Sequence, residues 1–281
     1  MATEQATVAV APRPALLSRR LALRIVEMVA GGILFLVILQ YALNFSLLDA
    51  ALWERYSRRF WSGIVGTLGY IGMILPVSVT LGFFLGWARV SRFHSVAWPA
   101  SVYVEFFRGV PPLVIVVFAS ILGPKAFPLH LQSPELGLTL GATAIAFHSA
   151  AFQAEIFRAG FQSVSKGQHE AALAIGMGPG EAMRHVLLPQ ALRLSLPPLS
   201  NEFAVVIKDT SLLSAIAAKE LFGLSDITTQ ALIRAGGQLE WLFVIWTAVA
   251  IVYFVMTFSV TQLMRFLERK FHARGLEGIS I

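Results

Sequence analysis

Long apolar runs separated by short polar stretches dominate this chain. Six of the runs have about 20 residues or more, the length that an α-helix needs to cross a bilayer. They cover residues 21–45, 63–88, 97–123, 136–157, 192–216 and 241–264. None alternates apolar and polar residues with a period of two, as the strands of a membrane barrel do. The pattern predicts an all-α membrane protein, a polytopic bundle of about six transmembrane helices.

The composition is typical of a membrane protein. Of the 281 residues, 56% are hydrophobic and 14% are charged, well below the roughly 25% charged residues of soluble domains. The net charge of +6 fits basic residues that flank membrane spans better than it fits a surface that binds nucleic acid. The chain has no cysteine, which excludes disulfides and thiol chemistry.

The basic residues concentrate on one side of the predicted membrane. They precede the first span, follow the second, surround the loop after the fourth and follow the sixth. These residues are Arg13, Arg19, Arg20, Arg24, Arg89, Arg92, Arg158, Lys166, Arg184, Arg193, Arg265, Arg269, Lys270 and Arg274. Cytoplasmic loops carry such an excess of Lys and Arg, so we expect both termini in the cytoplasm. The cluster of Arg55, Arg58 and Arg59 is the exception, and we expect it at the opposite membrane interface.

The runs define one membrane domain with two short tails. Residues 1–20 form a predicted cytoplasmic tail, and residues 266–281 form another. The run 21–45 is longer than the apolar core of a signal peptide and lacks a small-residue cleavage site, so it is predicted to be a retained transmembrane helix. Residues 60–265 form the main transmembrane domain, including a polar segment at 166–189.

This polar segment, which we call the docking segment, has the signals of a helical hairpin. Ser165 and Gln168 have the spacing of a capping box, which begins a helix. Glu170 lies in the first turn, where a negative charge suits the helix dipole. Gly176 predicts the end of the first helix, and a second short helix is expected over 181–188. An ordered polar helix between membrane spans indicates a surface that contacts a second protein.

The docking segment resembles the EAA loop of ABC-importer permease subunits. The resemblance is carried by Glu170-Ala171-Ala172, Gly176 and Val186-x-Leu188-Pro189, and Val186, where Ile is commoner, is its one departure. It implies a coupling helix that sits in a groove on an ATP-hydrolysing subunit. The implied coupling residues are Gly167, Glu170, Ala171, Ala172, Gly176, Leu188 and Pro189. The alternative is an amphipathic loop on the lipid surface, which usually carries more basic residues.

Four further stretches resemble the polar amino-acid permeases of the histidine, glutamine and glutamate type. They are Tyr103–Pro111, Ala154–Gly160, Lys166–Gln168 and Lys208–Leu212. The resemblance runs from about Phe60 to Arg274 and implies the permease fold of type I ABC importers, with a five-helix core and the added helix 21–45. It implies an alternating-access permease in the bacterial cytoplasmic (inner) membrane that forms the pathway for a polar amino acid. The implied partners are ABC ATPase subunits, an extracytoplasmic substrate-binding protein and a second permease subunit, identical or similar.

Ionisable residues within the spans are costly in lipid and often mark a pathway. The candidates for a substrate pathway are Glu105, Arg108, Glu155, Asn201, Glu202, Lys208, Asp209 and Thr210. Arg108 lies mid-membrane if its span begins near Ala97, or at the cytoplasmic interface if the span begins at residues 109–112. Glu155 and Arg158 could instead form an interfacial ion pair, and the polar group after residue 200 could be a packing network between helices.

The sequence contains no motif for catalysis. It has no Gly-x4-Gly-Lys-Ser/Thr phosphate loop, so ATP hydrolysis is expected from a partner subunit. No nucleophile elbow or metal-ligand cluster is visible, and His148 is expected to be a buried, hydrogen-bonded residue. We therefore predict no catalytic residues, no metal and no cofactor. Two rival functions are a secondary amino-acid transporter driven by an ion gradient and a membrane scaffold or sensor that does not transport.

Overall fold

A computed structural model describes residues 14–42 and 44–271, and in this part of the chain all regular elements are helices. The α-helices are α1 (Pro14–Ala42), α2 (Ala50–Arg89), α3 (His94–Gly109), α4 (Pro112–Leu122), α5 (Pro134–Ser163), α6 (Lys166–Ala174), α7 (Pro179–Ala182), α8 (Leu188–Asp209), α9 (Leu221–Arg234) and α10 (Glu240–Phe271). A π-helical turn, Met183–Leu187, joins α7 to α8, and a 3-10 helix, Thr210–Ile216, follows α8. The predicted all-α bundle is confirmed.

Only some of these helices are both long enough and apolar enough to cross a bilayer. Within the described residues, α2 and α10 are long and apolar enough to cross a bilayer. The pair of α3 and α4 passes the same test only jointly, and it is bent by 103° at its break. The helices α1, α5 and α8 have 29, 30 and 22 residues, which reach the length of about 20 residues that a span needs.

The predicted third span, 97–123, is broken into two helices. Val110 and Pro111 both have extended backbone conformations between α3 and α4. The ring of a proline disfavours the helical conformation of the residue before it, and two consecutive prolines, Pro111 and Pro112, impose this twice. The hydropathy of the run is continuous across the break, which is why the sequence pattern suggested one helix.

Other helices also differ from the sequence pattern; α2, for example, begins at Ala50 and not at residue 63. The first helix begins at Pro14, within the predicted tail, and the last continues to Phe271; residues 1–13 and 272–281 lie outside the described part. The helix α9 was not predicted at all. It is short, and its buried face carries the hydroxyl residues Ser225, Thr228 and Thr229, so it lacks an apolar run.

The centre of the bundle is α5, which packs along α2 through small residues. Gly82 and Gly86 of α2 lie against Ala150 and Ala154 of α5. A Cβ atom added at Gly86 would lie 2.7 Å from the Ala154 carbonyl oxygen and 2.7 Å from the Phe157 Cβ. Small residues spaced by four let two membrane helices approach until their backbones nearly touch. This close approach positions the C-terminal ends of α2 and α5 side by side.

The link between α1 and α2 is fastened to the start of α10. The Phe45 ring is 5% exposed and stacks on Phe243 with centroids 6.0 Å apart. The Trp241 indole donates to the Asp49 carboxylate at 3.0 Å. Asp49 also accepts from the Leu52 amide at 3.1 Å and thereby caps α2. These bonds, first the amide and then the indole, hold the pKa of Asp49 below its usual value.

Candidate functional site

The first helix of the docking segment is α6, and it ends in a well-formed left-handed turn. Gly176 has φ +87°. Its amide donates to the Leu173 carbonyl at 3.0 Å, and the Met177 amide donates to the Ala172 carbonyl at 3.1 Å. These two bonds are the Schellman pattern that ends many helices, so the predicted end of this helix at Gly176 is confirmed. The predicted capping box is absent, because Ser165 makes no side-chain hydrogen bond to the helix start.

The two faces of α6 have different surroundings. Ala172 is 4% exposed and lies on the side of α6 that packs against α7 and the π-helical turn. On the other side Gly167, Glu170 and Ala171 are exposed. Ile175, at the end of the helix, is 75% exposed. We call the surface formed by Gly167, Glu170, Ala171, Leu173 and Ile175 the α6 face; it combines little side-chain bulk with exposed apolar groups.

The second helix of the docking segment is continuous with the fifth predicted span. Helical structure runs without interruption from Pro179 to Asp209, whereas a separate helix over 181–188 was predicted. Pro189 does not end the helix, because the π-helical turn before it supplies a wider bond from the Leu188 amide to the Met183 carbonyl and relieves the crowding that proline causes. Leu188 and Pro189 are half-buried at this junction.

A side-chain bond also ties α6 to α8. The Gln190 amide donates to the Gln168 side-chain oxygen at 3.3 Å. At the other end of the hairpin the Gly178 amide donates to the Glu181 carboxylate at 3.0 Å. The Gln168–Gln190 bond and the packed π-helical turn therefore link α6 to α8.

An ion cluster joins the ends of α2, α3 and α5 near the docking segment. Glu155 accepts from Arg89 at 2.5 Å and from Arg158 Nε at 3.0 Å. Arg89 Nη2 reaches the Glu105 carboxylate at 3.5 Å, and its Nε donates to Ser101 at 3.3 Å. The alternative of an ion pair between Glu155 and Arg158 is thus present in the structure, extended by Arg89. The side chain of Glu105 is 68% exposed, so its bond to Arg89 is weak in water.

Arg108 lies at the end of α3, immediately before the break. Its guanidinium stands over the Phe152 ring at 5.6 Å from the centroid. Glu105 and Arg108 form no ion pair within the described ranges, although their spacing of three would allow one. The break after Gly109 separates α3 from α4, so Arg108 ends one helix and does not lie within a continuous span. Arg108 then stands at the entrance of α4.

A buried polar network connects α2, α5 and α8. Gln153 is fully buried, and its amide donates to Ser78 at 3.0 Å and to Ser149 at 2.9 Å. The Ser149 hydroxyl donates to the Glu202 carboxylate at 2.8 Å. Of these four residues, only Glu202 was identified from the sequence. The missed residues are single polar positions in an apolar run, and only their burial together shows that they form a network.

The remaining candidates on α8 divide between the surface and the core. Asn201 and Lys208 are exposed, with the exposed Val205 between them on the same helical face. Asp209 is half-buried. Thr210 is fully buried and donates to the Ile207 carbonyl at 2.7 Å, so its hydroxyl supports the start of the 3-10 helix.

Two further expectations concern histidine and metal. His148 is 8% exposed, which confirms that it is buried, and its ring lies 5.1 Å from that of Phe152. In residues 14–42 and 44–271, no group of three or more His, Asp or Glu side chains could hold a metal ion.

Another buried carboxylate, Glu220, accepts hydrogen bonds from the backbone amides of Phe222 at 2.8 Å and Gly223 at 2.5 Å. It caps α9 and was not identified from the sequence.

The arrangement is that of a helical membrane unit with a rigid polar hairpin and a partly exposed polar helix face. Residues 78–273 match the family described as the inner membrane component of binding-protein-dependent transport systems. The chain belongs to this family. It is therefore an integral inner-membrane protein and a component of a transporter, and its apolar helices agree with that.

Individual relatives agree with this assignment. The chain is 34% identical over 210 residues to the glutamine transport system permease protein GlnP of Escherichia coli (strain K12), covering 75% of this chain and 88% of that protein. It is 34% identical over 222 residues to the L-cystine transport system permease protein TcyB of Bacillus subtilis (strain 168), covering 78% and 90%. A solved structure described as an amino acid ABC transporter with histidines has a TM-score of 0.67 and 32% identity, covering 79% of this chain and 98% of that one.

Proposed function

We propose that this chain is the permease subunit of an ATP-driven ABC importer that carries a polar amino acid or a close analogue. The observation that carries the proposal is the rigid hairpin of the docking segment, whose α6 face is exposed while its other side is packed on the helix leading into the fifth span. Relatives named for glutamine and cystine transport support the substrate class. A secondary transporter driven by an ion gradient would not need such a hairpin.

Coupling follows from the mechanics of the hairpin. The α6 face docks on an ABC ATPase subunit, and Glu170, Ala171 and Gly167 provide a surface with little bulk for close approach. Closure of two ATPase subunits on ATP moves α6. The packed π-helical turn and the continuous helix from Pro179 to Asp209 pass that movement to the transmembrane helices. Ala172 contributes from the buried side of α6, because its small side chain lets α6 pack against the π-helical turn.

The substrate pathway is proposed along the exposed face of α8. An amino acid carries an ammonium and a carboxylate group, so its path needs both acceptors and donors. Asn201 and Lys208 supply them on the exposed face, and the half-buried Glu202 and Asp209 lie beside it. A second permease subunit, identical or similar, closes this face. The pathway continues near the joined ends of α2, α3 and α5, where Arg108, Glu105 and Glu155 lie and contribute to it.

The hairpin is proposed to face the cytoplasm, with both termini on that side. The distribution of Lys and Arg supports this orientation. The ATPase subunits then lie on the cytoplasmic side, and an extracytoplasmic binding protein delivers substrate to the opposite face. Alternating access between the two sides completes the cycle.

Reconstituted vesicles test the function and the pathway in one assay. With the ATPase subunits and binding protein present, uptake of a radiolabelled amino acid is expected to require ATP and to fail with an ion gradient alone. Lys208→Gln is expected to lower uptake about tenfold, since it removes a charged hydrogen bond, whereas the exposed Lys219→Gln leaves uptake unchanged. Uptake driven by an ion gradient without ATP would establish the secondary transporter instead.

The docking role of the α6 face is tested by a charge at its apolar end. Ile175→Asp is expected to reduce co-purification of the ATPase subunits about tenfold or more, because an uncompensated carboxylate would enter the interface. Folding should be unaffected, since Ile175 is 75% exposed. The matched control is Ile233→Asp on α9, where Ile233 is 56% exposed and far from the hairpin. Equal co-purification of both variants with ATPase would rule out this docking surface.

A further inference from the structure

The cluster Arg55, Arg58 and Arg59 has no part in the proposed coupling or transport pathway. Arg55 and Arg59 are one turn apart on α2 and line a small pocket with Tyr56, Thr228 and Trp241. The pocket has a volume of about 270 Å³. Neither arginine forms an ion pair with any residue in the part of the chain that the structure describes. Two arginines without an ion-pair partner among the described residues thus line one concave surface.

The wall behind the two arginines is rigid. The Tyr56 hydroxyl is hydrogen-bonded to Ser225 of α9, and Tyr56 is 1% exposed. Trp241 is held by its bond to Asp49 at 3.0 Å. The pocket therefore does not depend on mobile side chains, except for the arginines themselves.

The position along α2 places the pocket at the depth of lipid headgroups. The apolar run of this helix begins at about Gly63. At 1.5 Å per residue, Arg59 lies about 6 Å and Arg55 about 12 Å beyond that point. The headgroup layer is about 5–8 Å thick on each side of the hydrocarbon core, so the backbone of Arg59 lies within it. The backbone of Arg55 lies about 4 Å beyond its outer edge, a distance that the long arginine side chain can span. The tryptophan in the pocket suits the same depth, since Trp side chains favour the membrane interface.

We propose that this pocket binds the phosphate of an anionic phospholipid in the leaflet opposite the docking segment. Guanidinium groups bind phosphate through paired hydrogen bonds, and two of them one turn apart can grip a single phosphate. A soluble binding protein would meet the surface farther from the membrane, which favours the lipid as occupant. The naming of the leaflet rests on the proposed orientation; the lipid site itself does not.

Lipid retention by the full-length chain in complex with its ATPase subunits tests the site. The complex is equilibrated with phosphatidylglycerol or phosphatidylcholine, and bound lipid is counted by native mass spectrometry. The double variant Arg55→Gln/Arg59→Gln is expected to weaken retention of phosphatidylglycerol about 25-fold, at about fivefold for each charge. The matched control is Arg58→Gln on the same helix turn, because Arg58 does not line the pocket; it should behave as the wild type.

Each other outcome overturns the proposal in a defined way. If Arg58→Gln loses as much lipid as the double variant, general surface charge is responsible. If phosphatidylcholine is retained as well as phosphatidylglycerol, the arginines do not select an anion. Displacement by millimolar inorganic phosphate alone would show a small-anion site, and loss of binding-protein capture with unchanged lipid would show a protein-docking surface. Because the chain has no cysteine, labelling of Ser57→Cys reports the membrane side separately, and ATPase co-purification reports the coupling function separately.

Discussion

Gly176→Val is expected to reduce coupled uptake severely while the permease still inserts and still binds its ATPase. The backbone of Gly176 has φ +87°, a conformation that costs a residue with a Cβ atom about 1–2 kcal/mol. A β-branched side chain suffers most. The strain would displace the turn that sets the angle between α6 and the helix beginning at Pro179. We expect uptake in reconstituted vesicles to fall at least about tenfold, while ATP hydrolysis by the complex continues.

The same turn offers a rescue and a control. Gly176→Asn should retain most of the uptake, because Asn tolerates the left-handed conformation and ends helices in place of Gly. Gly180→Val should be harmless, since a Cβ atom there meets nothing within 4 Å and its φ lies outside the left-handed region. Normal uptake by Gly176→Val would contradict the coupling role of this turn.

Gly86→Val is expected to prevent the bundle from packing. A Cβ atom at this position would lie 2.7 Å from the Ala154 carbonyl oxygen and 2.7 Å from the Phe157 Cβ. Both obstacles belong to the rigid core of α5, so α2 must move away and lose its packing. Overpacking of a core costs about 1–3 kcal/mol, and we expect a value at the top of this range. The thermal midpoint in fluorescence-detected size-exclusion chromatography should fall by about 10 °C.

Gly72→Val on the same helix separates packing from helix propensity. A Cβ atom at Gly72 meets nothing within 4 Å, and both substitutions change the intrinsic helix preference equally. The chain with Gly72→Val should therefore retain the midpoint of the wild type. A similar loss for both variants would mean that the contact between α2 and α5 is not the cause.

The same close contact explains why the ion cluster can link three helices. Gly86 lies one turn before Arg89, and the approach at Gly86 brings Arg89 to within 2.5 Å of Glu155. Arg89 also reaches Glu105 of α3. The helix ends next to the docking segment are therefore joined to each other.

Sequence reasoning succeeded where the signal is local. The end of α6 at Gly176 follows from turn chemistry that a few neighbouring residues specify. Its beginning after Ser165 was also predicted correctly, although the capping box on which that prediction rested does not form. The all-α architecture follows from long apolar runs, because backbone groups in lipid must be satisfied within a helix. The family resemblance rests on the spacing of Glu170, Gly176 and Pro189, which is also local.

Sequence reasoning failed where several segments act together. The run 97–123 was interpreted as one helix because hydropathy does not register the two prolines at 111–112 as a bend. The helix α9 has no apolar run, and its packing against α2 by way of Tyr56 and Ser225 cannot be read from its own residues. The pairing of Arg108 with Phe152 rather than Glu105 is likewise a matter of tertiary contact.

The amino-acid sequence by itself determined that this protein is a helical membrane permease with a polar hairpin, since apolar length and turn residues are properties of single segments. Only the tertiary structure decided which residues meet. It placed Ala172 inward and Ile175 outward, joined Gln153 to Ser78 and Ser149, and set Arg55 and Arg59 around one pocket. The physical reason is that burial and pairing depend on how close helices approach, and that distance is fixed by small residues on two segments that are far apart in the chain.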